Sequence, residues 1–466
     1  MHDPTTVLTR RRLLELSGAG YLGLNLGGLW TAQAASPKPA DGPPPVRACI
    51  LVFLYGGPSH LDTFDLKRNA PAEIRGEFQS IGTPVPGIRV CEHLSHLAKV
   101  MNKFAQVRSV THAARLHDSA SIHALTGRPL DGPDRELFAP QAQFYPSHGS
   151  AIAHARRERP AAVPFASLPF SFRNVHDVPC QGGGFLGSAY DPLRIEGDPA
   201  QRRYHAEPLR RSPDVNAHRA IDRRSLRDAL DRPDTPAGLR GLYEKAYRLL
   251  DAEAIRRAVD LDAEPPAVRE RYGFGTPPVP VGEGGGGGNG AEMGVGRELR
   301  GQNLLLARRL VEAGVPFVTV YDFKQQGQNW DAHFQCANQH KSHLLPAFDR
   351  GLSALIEDLD ARGLLESTLV VVMGEFGRTP KINGTAGRDH WPDCYTVLFA
   401  GGGARGGAVY GSSDRIGAYP ASDPVTPGDL AATIFWRFGL DPAAEIHDQT
   451  GRPHRLASGE PLRRLF

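Results

Sequence analysis

What most constrains this chain is a set of short, unbroken apolar runs, each stopped by glycine or a charged residue. Residues 48–54 halt at Tyr55-Gly56-Gly57-Pro58, and residues 316–321 halt at Asp322. Residues 369–373 halt at Gly374-Glu375, and residues 395–400 halt at Gly401-Gly402-Gly403. A strand with one wet face alternates polar and apolar side chains. A run that is apolar at every position reads as a strand buried on both faces, as in a parallel sheet covered by helices. Helical patterns lie between the runs. Residues 303–313 carry an apolar stripe and end at Gly314. Residues 344–362 bring Leu345, Phe348, Leu352, Leu355, Ile356 and Leu359 to one side and end at Gly363. Glycine just past a helix supplies the left-handed turn that closes it. The alternation predicts an α/β fold, a mostly parallel central sheet flanked by helices, with all four runs neighbours or near-neighbours in one sheet.

Residues 194–272 differ in texture. They are dense in Arg, Asp and Ala at helical spacing, which predicts a helical insertion with a solvated, mixed-charge face. Residues 276–290 are Gly- and Pro-rich and predict a surface loop. The expected organisation is one domain over residues 46–460, interrupted by that insertion and that loop.

The N-terminus predicts export. Arg10-Arg11-Arg12 precede Leu13-Leu14, a weakly apolar, Gly-rich stretch reaches about Trp30, and Ala32-Gln33-Ala34 follows. This is a basic region, a modest apolar region and a small-residue cleavage site, the pattern of a twin-arginine (Tat) signal over residues 1–35. The Tat translocase is therefore an expected partner, and the expected location is periplasmic or extracellular. Residues 36–45 read as a Pro-rich linker. No later stretch is long and apolar enough to span a bilayer. The 54 Lys and Arg against 51 Asp and Glu leave a charge of +3, which argues against a nucleic-acid partner. With 40% apolar and 23% charged residues the chain can bury a core and is not disordered. The five cysteines include no CxxC pair, so a zinc ribbon is excluded, while one or two disulfides are compatible with export.

Ligands of open parallel sheets bind beyond the carboxyl ends of the strands. The loops at those ends are where this chain concentrates histidine and carboxylate: Asp62 after the first run, Asp331 and His333 after the run at 316–321, Glu375 and Arg378 after residue 373, then Asp389 and His390. His117, Ser119 and His123 lie in a further loop-to-helix stretch. Imidazole with carboxylate suits Zn or Mn, and carboxylates alone suit Ca or Mg. Ser119 and Ser121 also fit a plain helix start, and Gly401-Gly402-Gly403 fits a tight turn better than a phosphate cradle.

The runs at 54–65, 306–315, Trp330-Asp331-Ala332-His333, Gly374-Glu375-Phe376-Gly377-Arg378-Thr379-Pro380 and Gly387-Arg388-Asp389-His390-Trp391 resemble the DUF1501 family of exported bacterial proteins. That family is similar in fold to the alkaline phosphatase and sulfatase superfamily. The resemblance implies an alkaline-phosphatase-like sheet, a metal site at the strand ends and hydrolysis of phosphate or sulfate esters, small-molecule or polysaccharide. It implies a divalent metal ion (Zn, Mn, Ca or Mg) held among Asp62, Asp331, His333, Glu375, Asp389 and His390. Leu125-Thr126-Gly127-Arg128 resembles the run that follows a sulfatase nucleophile, and the sulfatase spacing then lands on His117 instead of Cys or Ser. Phe376 stands where sulfatases carry histidine.

Two mechanisms are open at this stage. In one, a metal activates water, Arg378 or Arg388 stabilises the developing charge, and His117 or His123 is the general acid. In the other, Ser119 or Ser121 attacks. The alternative to an enzyme is a catalytically degenerate secreted protein that binds sulfated or phosphorylated polysaccharide.

Export yields the first testable expectation. Replacing Arg10, Arg11 and Arg12 by lysine should leave the precursor uncleaved in the cytoplasm. Immunoblots of cell fractions report this, and normal cleavage near Ala34 would refute Tat dependence.

Overall fold

Eight strands build the central sheet: β1 (Ala48–Phe53), β2 (Phe104–Val110), β3 (Ala166–Leu168), β4 (Leu193–Arg194), β5 (Phe317–Tyr321), β6 (Thr368–Met373), β7 (Tyr395–Ala400) and β8 (Val409–Tyr410). Their order across the sheet is β8-β2-β7-β6-β1-β5-β3-β4. The computed structural model describes residues 43–198, 203–205, 209, 217–230, 237–276, 296–323 and 330–466. The proposed signal, most of the linker and residues 277–290 of the Gly-rich loop lie outside the described residues.

β1 is central and pairs in parallel on both sides, from Ala48↔Thr368 to Phe53↔Met373 on β6 and from Cys49↔Phe317 to Phe53↔Tyr321 on β5. Its alternate residues enter two separate cores. Ala48, Ile50, Val52 and Leu54 pack with α3 (Gly296–Glu312) and α4 (Leu345–Ala361). Cys49, Leu51, Phe53 and Tyr55 pack with α1 (His117–Thr126), α2 (His148–Ala155) and α5 (Pro427–Arg437). Each strand residue points to the face opposite its neighbour, so an unbroken apolar run is what a sheet covered on both faces requires. The expected α/β architecture, a mostly parallel sheet flanked by helices with the four runs adjacent in it, is the one observed.

One strand departs from the expectation. β7 runs antiparallel to both β6 and β2, so it opposes the other seven. No crossover helix separates β6 from β7, and a parallel return needs one. Gly401-Gly402-Gly403 therefore turns at the edge where β1 and β6 begin: a side chain on Gly402 would strike Val46 and Leu369. The start of β7, not its end, lies at the site edge.

Within residues 194–272 the chain first forms an edge hairpin, Glu196–Asp198 with Arg203–His205, and then the helices Ala217–Leu230, Ala237–Asp251, Glu253–Val259 and Pro266–Arg271. A buried arginine ties this stretch to the two helices on one face of the sheet. Arg308 of α3 is fully buried and pairs with Glu264 at 2.8 Å, Glu312 at 2.5 Å and Asp358 of α4 at 2.9 Å. All five cysteines are free and buried, so no disulfide forms.

α3 meets the chain around it at a glycine. A Cβ on Gly301 would lie 1.5 Å from the carbonyl oxygen of Tyr272, and a Cβ on Gly351 of α4 would come within 3.1 Å of the Gly301 Cα. Gly301→Ala should therefore lower stability by about 1–3 kcal/mol through overpacking, read as a lower urea midpoint at unchanged slope. An unchanged midpoint would contradict this contact.

Candidate metal centre

Parallel strands deliver their following loops to one edge, and four segments meet there. The loop after β5 brings Asp331 and His333. The turn after β6 brings Glu375, Phe376 and Arg378. A two-stranded ribbon pairs Arg378 with His390, placing both side chains on the same face. The first residue of α1 is His117.

Asp331 is the meeting point. Its Oδ1 lies 2.9 Å from His333 Nε2, 3.1 Å from His390 Nε2 and 2.6 Å from Arg378 Nη2, and its Oδ2 lies 3.3 Å from His117 Nε2. The opposite nitrogen of each ring is held by a fixed acceptor. His117 Nδ1 lies 2.7 Å from Glu375 Oε1, His333 Nδ1 lies 2.8 Å from Asp389 Oδ1, and His390 Nδ1 lies 2.7 Å from the Arg115 carbonyl. Donation from Nδ1 to an acceptor fixes the tautomer and leaves a lone pair on Nε2. Three Nε2 atoms then face one carboxylate, and those of His333 and His390 are 2.9 Å apart. Lone pairs at that spacing repel unless a proton or a cation lies among them. Ligand-type atoms of His117, Asp331 and His390 all lie within 4.8 Å of one another. The donor set fits a divalent ion, and its imidazole content fits Zn or Mn better than Ca or Mg.

The electrostatics differ from ring to ring: without a cation, a proton on His117 takes the place between the two carboxylates. Burial pushes the Asp331 carboxyl up, but Arg378 and His117 outweigh it and hold the group well below the usual carboxylate range. Burial alone would lower His117, yet Asp331 and Glu375 on either side raise it to about 10. Burial dominates at His390 and lowers it to about 4, so that ring is neutral. Phe376 supplies an apolar wall, 4.5 Å from the His390 ring and 5.0 Å from the His117 ring. The loop after β1 closes the floor through its backbone. Gly56 donates its N–H to Glu375 Oε1 at 2.8 Å, and Gly57 accepts from Arg378 Nε at 2.9 Å. Gly57 has φ +74°, and a Cβ there would overlap Phe376.

Of the residues singled out in the sequence, Asp331, His117, His333, His390 and Arg378 come together. Glu375 and Asp389 stand one step back, each gripping the far nitrogen of a histidine. Asp62 is engaged elsewhere: its oxygens are taken by Arg388 at 2.7 and 3.3 Å and by Ser59 at 2.5 Å. Burial pushes Asp62 up, and Arg388 outweighs it and keeps the carboxyl below its usual range. Ser119 Oγ is held by the main chain of Arg135 at 2.9 Å as donor and as acceptor, and Ser121 is sealed in the core. His123 packs its ring 5.4 Å from His112, and burial with that neighbour lowers it to about 3.

Sequence reasoning missed three contributors. The Arg115 carbonyl carries no side-chain signal. His112 bonds the Glu375 carbonyl at 2.6 Å, and Glu136 accepts the N–H groups of His117 and Asp118 at 2.9 and 3.0 Å, capping α1 from a distant loop. Neither His112 nor Glu136 follows one of the four apolar runs or lies in the His- and Asp-bearing motifs that pointed to the others.

A family model described as a protein of unknown function, DUF1501, matches residues 46–466, and the chain belongs to that family. Among solved structures it is similar to a sulfatase from Pseudoalteromonas sp., at 14% identity and TM-score 0.38 over 87% of this chain and 72% of that one. It is similar to a phosphonate monoester hydrolase from Silicibacter pomeroyi, at 14% identity and TM-score 0.37 over 89% of this chain and 76% of that one. It is also similar to Ps i-CgsB in complex with k-i-k-neocarrahexaose, at 13% identity and TM-score 0.38 over 86% and 73%. No curated protein sequence matches it.

The Asp62–Arg388 pair generates a stability prediction. Asp62→Asn leaves the buried Arg388 uncompensated and should cost about 3–5 kcal/mol. Asp62 titrates lower in the folded chain than in the unfolded one. Its contribution is thus complete above about pH 3.9, the ordinary carboxylate value, and is lost as pH falls toward the depressed value. Denaturation of parent and variant should therefore converge in strong acid, and a gap unchanged down to pH 2 would contradict the assignment.

Proposed function

We propose that this DUF1501 chain is a Tat-exported, metal-dependent hydrolase of phosphate or sulfate esters, with its divalent ion held by His117, Asp331, His333 and His390. The observation that carries the reading is the convergence of three imidazole Nε2 atoms on one carboxylate, each ring locked from behind by a carboxylate or a carbonyl. Histidines that ligate metals are oriented in this way, because an acceptor on the far nitrogen fixes the tautomer and strengthens the ligand. Bound there, a divalent ion supplies Lewis acidity that polarises the ester oxygens and acidifies water.

The protein's own groups do the rest. Glu375 and Asp389 hold His117 and His333 in the ligating tautomer. Phe376 shields two rings from water. Arg378, spanned between Gly57 and Asp331, fixes the carboxylate in place. His333 is the cluster histidine most open to solvent, with a side chain 40% exposed, so substrate enters over it. Water is the nucleophile in this reading. The side chain at the start of α1 is an imidazole, and the nearby hydroxyls of Ser119 and Ser121 are buried, the first of them bonded elsewhere. Burial also raises the thiol of Cys336 well above its ordinary range.

One observation favours a second reading, the non-catalytic polysaccharide binder. Arg378 already pairs with Asp331 at 2.6 Å, so the carboxylate is neutralised without an ion.

Metal content separates the two. Elemental analysis of the purified chain should find a divalent metal that is lost in His390→Ala and Asp331→Ala. Hydrolysis of aryl phosphates, phosphodiesters or aryl sulfates should fall by at least about 100-fold in both variants and after chelation, returning when metal is restored. A metal-free parent without hydrolytic activity would overturn the enzyme reading in favour of the binder.

A further inference from the structure

α1 begins at the metal cluster without a cap of its own. Leu116 stands at its N-cap and offers no side-chain acceptor, so the first amide groups need partners from elsewhere. They find them in the connection between α1 and α2, residues 127–147, which contains no helix or strand. A connection longer than about 15 residues without secondary structure is usually there for function. This one folds back along the head of α1. Asp134 Oδ2 accepts the N–H of Arg115 at 2.7 Å, and its Oδ1 accepts that of Leu116 at a longer 3.4 Å. Glu136 Oε1 accepts the N–H of His117 at 2.9 Å, and its Oε2 accepts that of Asp118 at 3.0 Å. Two carboxylates of one strap thus take four consecutive amides.

The register of the strap is pinned on both sides of Glu136. Ser119 Oγ bonds the N–H and the carbonyl of Arg135, each at 2.9 Å, and the Leu137 N–H donates to Asp118 Oδ2 at 2.7 Å. Leu137 is buried, and Asn174 donates to Glu136 Oε2 at 3.0 Å. Asp134 is exposed, so water could satisfy the amides it holds. Water would not fix where those amides point.

The peptide joining Arg115 to Leu116 shows what the strap controls. A trans peptide is planar, and its N–H and C=O point in opposite directions. Asp134 lies on the N–H side of this unit, and His390 Nδ1 lies on its C=O side at 2.7 Å. Holding one end aims the other. Glu136 in the same way fixes the backbone that carries the His117 imidazole. We propose that Asp134 and Glu136 are positioning residues of the metal centre, which set two of its three histidines, His390 and His117, from one distant loop. This role rests on the metal-centre reading, because the placement of the imidazoles matters through the ion they hold.

The test uses the purified full chain, stripped by a chelator, with zinc ion as the probe. Asp134→Ala and Glu136→Ala should each weaken zinc binding by at least about 10-fold against a competing chelator, as loss of a partner behind a metal ligand does. Asp134→Asn and Glu136→Gln keep an acceptor oxygen and should stay within about 3-fold of the parent. The spectroscopic readout is the nitrogen NMR signature of the His390 ring, identified by its absence from His390→Ala. In the metal-free parent that ring should carry its proton on Nδ1, and in Asp134→Ala it should populate both tautomers. A plain helix cap would lower the urea midpoint and leave the tautomer alone. An unchanged tautomer in Asp134→Ala therefore overturns the proposal, as do alanine variants that bind zinc like the parent. Equal losses in the alanine and the amide variants overturn it too, since charge and not placement would then be at work. Asp134 is exposed, so its variants decide the matter even if Glu136→Ala fails to fold. A parent that binds no zinc overturns the metal centre instead, and the His390 tautomer then still decides the role of the strap.

Discussion

The carboxylate of Asp331 is the interaction on which the site depends. Three imidazoles and a guanidinium from four different segments converge on its two oxygens. A buried carboxylate so surrounded is costly unless every neighbour is held in register. The surroundings supply that restraint. Glu375, Asp389 and the Arg115 carbonyl hold the rings, and the glycine loop after β1 holds Arg378. The loop geometry at this edge follows from keeping these partners on one group.

The sheet makes the convergence affordable. β1, β5 and β6 are parallel neighbours, so the loops after them leave the same edge within two strand spacings of one another. The antiparallel β7 lets the ribbon that carries Arg378 and His390 fold back over that edge instead of crossing the sheet. α1 enters from the other side, with Glu136 capping its first N–H groups and leaving the His117 side chain turned inward. Two buried pairs thus stand side by side with different duties. Asp331 gathers ligand-type nitrogens, while Asp62 is closed by Arg388 and holds the loop after β1 to the loop before His390.

The legibility of the site varied by residue for physical reasons. Asp331, His333, Glu375, Asp389 and His390 were visible because they follow apolar runs or lie in short His- and Asp-bearing motifs. Their ranking was not visible. Glu375 and Asp389 share the chemistry of a ligand but stand behind the histidines, and one residue type can serve in either position. Asp62 looked equivalent to Asp331, yet a guanidinium distant in sequence took its oxygens. His117 read as a proton donor and lies instead fully buried between two carboxylates.

The amino-acid order alone determined what is local or periodic. Six consecutive apolar residues in β1 demanded a strand covered on both faces, and Gly314 and Gly363 marked helix ends because left-handed backbone there excludes most side chains. Only the tertiary structure decided strand direction at β7, the pairing of Arg388 with Asp62, and the choice of the Arg115 carbonyl as the third acceptor. Each of the last two is a contact between segments far apart in sequence. Its energy comes from distance and burial, and neither quantity exists until the sheet has closed.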